Sequence, residues 1–248
     1  MTPSQQRNLI FALLAAGSLI VVIIAVIALT SSQRDIQIAA PAADGALSPG
    51  GFTFFDLDRT TVLNRGLRKT LSQMLGSDAI AHATPIDLTV VNQRFLQTHL
   101  AILDTLNQRL NPAMGGRREH DTTRLTYHRA EQHEMPFRTI ELVFSNITGQ
   151  PLYFIINPTD DFADSIATLT SKYGPPRNVK AEHMNSPVRI WERDSDILVA
   201  TTFPRRNGRM SQELRIYFVE SLKQLVAGEN QALRQQDRST RKAGERAF

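Results

Sequence analysis

Two carboxylates stand two residues apart in GGFTFFDLDRTT, at Asp56 and Asp58, with Thr60 two residues further on. At the end of a strand such a pair can do phosphoryl chemistry: the first aspartate attacks phosphorus, the second moves a proton, and both face a bound magnesium ion. A second group of chemistry-bearing residues is His120, His128 and His133, with Glu119, Asp121 and Glu131 nearby. Histidine and carboxylate together suit divalent transition metals. No pair of histidines sits four apart on a helical stretch, so these read as surface histidines of a polar loop. Metal and cofactor ligation are not expected. With no cysteine in the chain, disulfides, thiolate zinc, iron–sulfur clusters and cysteine nucleophiles are excluded. The sequence also lacks G-x-S-x-G, a P-loop and G-x-G-x-x-G.

Asp56, Asp58 and Thr60 match the D-x-D-x-T motif position for position, and the stretch resembles the opening of the haloacid-dehalogenase phosphohydrolases. The resemblance covers five residues. It would imply a doubly wound parallel sheet, a downstream lysine to steady the phosphoryl group, and a late acidic pair. The chain departs from each. Its strands follow one another as meanders; beyond Lys69 the next lysine is Lys172; and Asp160, Asp161 and Asp164 open a helix. Asp58 and Thr60 are expected to shape a turn into a helix, and no catalytic residue is assigned.

The strongest feature lies upstream. Leu9 to Thr30 is 22 residues without charge or proline. As a helix it would span roughly 33 Å, enough for a bilayer core. It exceeds the apolar region of a cleaved signal peptide, so an uncleaved single-pass anchor is expected, after a short tail, 1–8. Arg7 and the free amine precede it; Arg34 beyond it is balanced by Asp35, and no further Lys or Arg appears until Arg59. This bias places the N-terminus inside. Residues 31–51, rich in Ala, Pro and Gly, read as a tether to a domain outside the cytoplasmic membrane, in the periplasm.

The remainder, 52–227, patterns as α+β. Phe52–Leu57 reads as a short strand, and a helix capped by Thr60 or Thr61 runs to Gly76. A second helix, Thr89–Asn111, carries Val91, Phe95, Ile102, Leu103, Leu106 and Leu110 and stops at Pro112. Period-two alternation marks strands at 122–130, 137–146 and 151–158, then a helix at 160–174, then strands at 187–193, 196–203 and 212–220. Helices packed on antiparallel meanders are expected. A tandem helix-plus-three-strand duplication, with halves 89–157 and 158–220, is one form; one continuous sheet is the other. From Gly228 the chain turns polar and basic, reading as a fraying helix end and a solvated tail, 228–248.

The chain is 42% hydrophobic and 21% charged, with a net charge of +4. That excess suits an anionic partner. No aromatic platform or recognition helix accompanies the basic loops, so nucleic acid is not expected. The expected role is a membrane-anchored, non-catalytic accessory or scaffold subunit of a cell-envelope complex. The competing class is an envelope enzyme or a sensor of a small ligand or metal. Candidate partner-binding residues are Arg205, Arg206 and Arg209, on a hairpin tip, and Trp191 beside Arg189 and Arg193. Alternation puts Trp191 opposite Val188 and Ile190, and a lone large aromatic in a sheet is expected to be buried.

Overall fold

Apolar and polar residues alternate in segments such as 137–145 and run almost unbroken apolar in others such as 151–156, and in the computed structural model these segments join into one sheet. The residues described are 50–112, 118–128, 135–159, 162–182, 184, 186–204 and 210–247, all within the unit Leu47–Phe248. The expected anchor 9–30, and the tether except Gly50 and Gly51, lie outside them. Among the described residues no helix is long and apolar enough to cross a membrane.

The elements in order are α1 (Arg65–Leu75), β1 (Asp78–Thr84), α2 (Gln93–His99), α3 (Ala101–Leu110), β2 (His120–His128), β3 (Phe137–Ser145) and β4 (Pro151–Pro158). Then come α4 (Phe162–Tyr173), β5 (Arg177–Val179), β6 (Val188–Arg193), β7 (Asp196–Pro204), β8 (Met210–Tyr217) and α5 (Val219–Ala247). The eight strands run in the order β1-β2-β3-β4-β8-β7-β6-β5, every neighbouring pair antiparallel. Two four-stranded meanders therefore meet at β4 and β8.

Each face of the sheet has its own core. On one, Leu71 and Leu75 of α1 join Phe52, Leu57, Leu125, Phe154, Trp191 and Ile216, with Ile166, Leu169 and Tyr173 of α4 packed against them. On the other, Phe95 and Leu96 of α2, Leu103, Leu106 and Leu110 of α3, and Val219, Leu222, Leu225 and Val226 of α5 cover Val143, Val188, Ile190 and Val199. Val188 and Ile190 thus face one layer and Trp191 the other, as period two requires.

Several elements differ from the sequence-based expectation. Four strands stand in each meander where three were expected, because β1 and β5 carry no alternating pattern. The helix expected over 89–111 starts at Gln93, capped by Asn92, whose side chain accepts the Phe95 N–H at 2.8 Å, and it breaks at Leu100 (φ −138°, ψ 55°). Leu96, Leu100 and Leu103 are all buried, four and three residues apart on one face, so the apolar stripe runs through the break at Leu100. Ile102, expected in the stripe, is 41% exposed. Asn64, not Thr60 or Thr61, caps α1, accepting the Leu67 N–H at 2.9 Å. Phe52–Leu57 is no strand; only a bridge links Phe54 and Leu57. The polar stretch after Gly228 continues as helix to Ala247, since Ala, Leu, Arg, Gln and Lys all favour it.

The chain that enters from residue 50 is fixed to the β6–β7 hairpin by a buried arginine. Asp194 (φ 48°) and Ser195 (φ 72°) form that hairpin's left-handed two-residue turn. Arg59 Nη1 donates to Asp194 O at 2.8 Å, and its Nε lies 3.4 Å from Asp196 Oδ2. Gly51 (φ 78°) lies so close that a Cβ there would sit 2.2 Å from Asp196 Oδ2. Asp196 is 1% exposed, and the Val219 N–H that points at its carboxylate falls short of full hydrogen-bond geometry. Burial pushes this carboxyl up to about 7, against the pull of Arg59 and Val219 N–H, with Asp194 and Glu220 adding repulsion. A carboxyl raised in the fold takes stability away as pH rises, here between the ordinary aspartate range and about 7. Melting temperatures of the wild type should therefore fall relative to Asp196→Asn over that interval. Parallel curves would exclude Asp196 as the titrating group.

Candidate partner-binding groove

Helix α5 is held to the sheet only along its first part. Val219, Leu222, Leu225 and Val226 are buried, and Gly228 lets the helix approach Ile147, whose Cδ1 would lie 3.1 Å from a Cβ at that position. The next residue, Glu229, accepts from His120 Nδ1 at 3.0 Å, and Arg118 lies 3.5 Å from the same carboxylate. Burial alone would raise Glu229, but the His120 hydrogen bond, with the His120 and Arg118 charges, outweighs it and holds the carboxyl below its usual range. A lowered carboxyl stabilises above the usual range, so this clasp should weaken as the solution becomes acidic. Beyond it, every described side chain from Asn230 to Thr240 is exposed.

Along this free part of α5, successive turns place Asn230, Arg234 and Arg238 on one side, with Gln231 and Gln235 beside them. Facing them across a cleft is Arg109, in the last turn of α3. Leu106, Val226 and Ala227 complete the lining with Lys223, and the groove encloses about 580 Å³. Among the described residues four cationic side chains line it and no acidic one does. Lys223 is partly satisfied by Glu220 at 2.7 Å. Arg109, Arg234 and Arg238 make no ion pair among the described residues. Three guanidiniums without an ion pair among the described residues, set around an apolar strip with amides between them, can bind carboxylates or phosphates by charge-assisted hydrogen bonds.

The residues singled out by sequence fall elsewhere. Arg205, Arg206 and Arg209 lie outside the described residues. Trp191 is 4% exposed, and its Nε1 donates to Gly174 O at 2.8 Å; its ring edge lines a shallow cleft with Phe52, Tyr173 and Arg177. Arg193 reaches Asp194 at 3.8 Å. The histidines are not one surface loop. His120 is 1% exposed on β2, its Nε2 without a partner, while His128 is exposed at the strand's end and His133 lies outside the described residues. Burial follows from alternation: His120 shares its face with Thr122, not with the polar residues around it. Among the described residues no cluster of three His, Cys, Asp or Glu side chains is arranged to hold a metal.

Asp56 and Asp58 are likewise separated in role. Asp58 Oδ1 accepts from Thr60 N at 2.8 Å and Thr60 Oγ1 at 2.7 Å, while its own N–H donates to Thr61 Oγ1 at 3.0 Å. Asp56 is exposed in a left-handed turn (φ 61°). The carboxylate that the five-residue motif would use for proton transfer is thus bound into the turn. Asp56→Asn should leave the fold unchanged, whereas Asp58→Ala should cost about 1 kcal/mol, as loss of a comparable cap does. Magnesium-dependent phosphate-ester turnover by the full chain, abolished by Asp56→Asn, would restore the phosphohydrolase reading.

Comparison with protein-family models, with curated proteins and with solved structures finds no match for this chain. The fold and groove together define an antiparallel α+β domain with a cationic helix-lined cleft.

Proposed function

We propose that this protein is a membrane-anchored, non-catalytic accessory or scaffold subunit of a cell-envelope complex, and that it binds an acidic surface of a protein partner in the α3–α5 groove. The observation that carries the binding role is that groove: Arg109, Arg234 and Arg238 converge on one cleft and make no ion pair among the described residues. The uncharged run Leu9–Thr30 and the scarcity of basic residues after it support a single-pass anchor in the inner membrane with the domain in the periplasm. The α4–β5–β6–β7–β8 order repeats the outline of α1 and β1 to β4, with α2 and α3 inserted, which supports a tandem duplication with four strands per half.

Reporter fusions at Phe248 test the placement. Alkaline phosphatase fused there should be active and a fluorescent protein that matures only in the cytoplasm should be dark. The reverse pattern would overturn the periplasmic assignment.

A further inference from the structure

The two edges of the sheet are treated differently. β5 is only three residues long and carries Arg177, bonded to Glu192 at 2.6 Å. Short, charged edges resist pairing. β1 runs seven residues, DAIAHAT, with no Lys, Arg or Pro, and Ala79 to Ala83 are all exposed. Helix α1 buries Leu71 and Leu75 against Leu125 and Tyr127 of β2 and touches β1 through Arg68, whose guanidinium holds Asp78 at 2.7 and 3.0 Å, leaving Ala79 to Ala83 exposed.

The direction of β1's backbone groups follows from the ladder. Asn146 N–H donates to Asp121 O at 3.0 Å, so Asp121 turns its groups toward β3. Alternation assigns Thr123, Leu125 and Tyr127 to β3 as well, and Arg124 and Thr126 to β1. Their partners are Ala81 and Ala79. Asp78, Ile80 and His82 therefore aim N–H and C=O at the open edge, with their side chains on the α1 face.

We propose that β1 is a self-pairing edge, through which two copies of this chain join antiparallel about a two-fold axis at Ile80 to make one continuous sheet. In a two-fold pair, outward residues must oppose outward residues, which leaves axes at 79, 80 or 81. An axis at 79 reaches beyond the strand. An axis at 81 sets Asp78 against Thr84, across the bulge at Ala83 (φ 52°). Only the axis at Ile80 uses the whole regular stretch Asp78–His82. It sets Asp78 opposite His82 of the second copy, Ala79 opposite Ala81, and Ile80, 38% exposed, against itself. The exposed Ile80 gains an apolar partner, a favourable cross-strand pair, while Asp78 keeps its ion pair with Arg68 at 2.7 Å. The same patch serves both copies, as an isologous interface requires.

The chain's lack of cysteine makes the test direct. Opposed residues of a hydrogen-bonded antiparallel pair have Cα atoms about 5.5 Å apart, within disulfide range. Full-length Ile80→Cys, in detergent micelles under mild oxidation, should form covalent dimer about tenfold faster than Ile147→Cys, an exposed control on another surface, because only the first places two thiols in bonding range. Adding His82→Pro should bring the rate down to the control, since it removes an N–H that points out of the open edge, a position where proline is tolerated; unchanged thermal melting shows that the fold persists. Equal rates for Ile80→Cys and Ile147→Cys would overturn the proposal, as would a fast Ile80→Cys rate that His82→Pro leaves untouched in a protein with normal melting.

Discussion

Trp191→Ala should destabilise the domain by about 3–5 kcal/mol, the range for truncating a fully packed large aromatic, and lower Tm by roughly 10 °C. The side chain lies between the sheet and the α4 layer, in the cluster with Phe52, Leu198 and Tyr173, and the Ala variant would leave Gly174 O without the indole N–H. Trp191→Phe separates the two contributions. It retains most of the bulk and loses the hydrogen bond, so it should cost about 1–2 kcal/mol. A thermal melt of both variants decides the matter: an unchanged Trp191→Ala curve would mean the ring does not fill the core.

Arg59→Ala should rank beside it, at about 3 kcal/mol, because it strips the partner from a buried charge. The effect should depend on pH in a defined direction. Asp196, raised to about 7 by burial in the wild type, can take up a proton when Arg59 is gone, which relieves the unpaired charge. The loss should therefore be largest above neutrality and smaller in mild acid. The variant also frees Asp194 O and Gly50 O, so the segment that connects residue 50 to the rest of the chain should open. Hydrogen exchange at Gly51, whose N–H donates to Asp194 at 3.2 Å, reports that opening. Protection at Gly51 as strong as in the wild type would show that Arg59 does not hold the segment.

Local patterning made part of this architecture readable. The near-continuous apolar runs in residues 151–158 and 196–203 report burial of both sheet faces directly, and the Asp194–Ser195 turn sits where two runs meet. β1 was not readable because Ala-rich edge residues exposed on both faces have no apolar period, and β5 is shorter than any period. The break at Leu100 has no glycine or proline to signal it, and the apolar stripe runs through it unchanged. The groove was hidden for a different reason. Arg109 and Arg234 belong to helices distant in sequence, and composition alone made the stretch after Gly228 a solvated tail. Its arginines acquire a shared target only once Leu222, Leu225 and Val226 seat α5 beside α3. His120 was misplaced on the same grounds, since its partner Glu229 lies on that helix.

Charge reversal in the groove tests the binding role most directly. The full chain, tagged and carrying Arg109→Glu, Arg234→Glu and Arg238→Glu, would be chemically cross-linked in host membranes, solubilised in mild detergent and purified beside the wild type, with cross-linked partners quantified by mass spectrometry. These exposed side chains make no ion pair among the described residues, so the melting temperature should stay within about 2 °C of wild type, as expected for surface changes. Recovery of the wild type's cross-linked protein partner should drop about tenfold or more, the loss expected when like charges meet across an interface. Undiminished partner recovery with a normally melting triple variant would contradict the groove as the binding site.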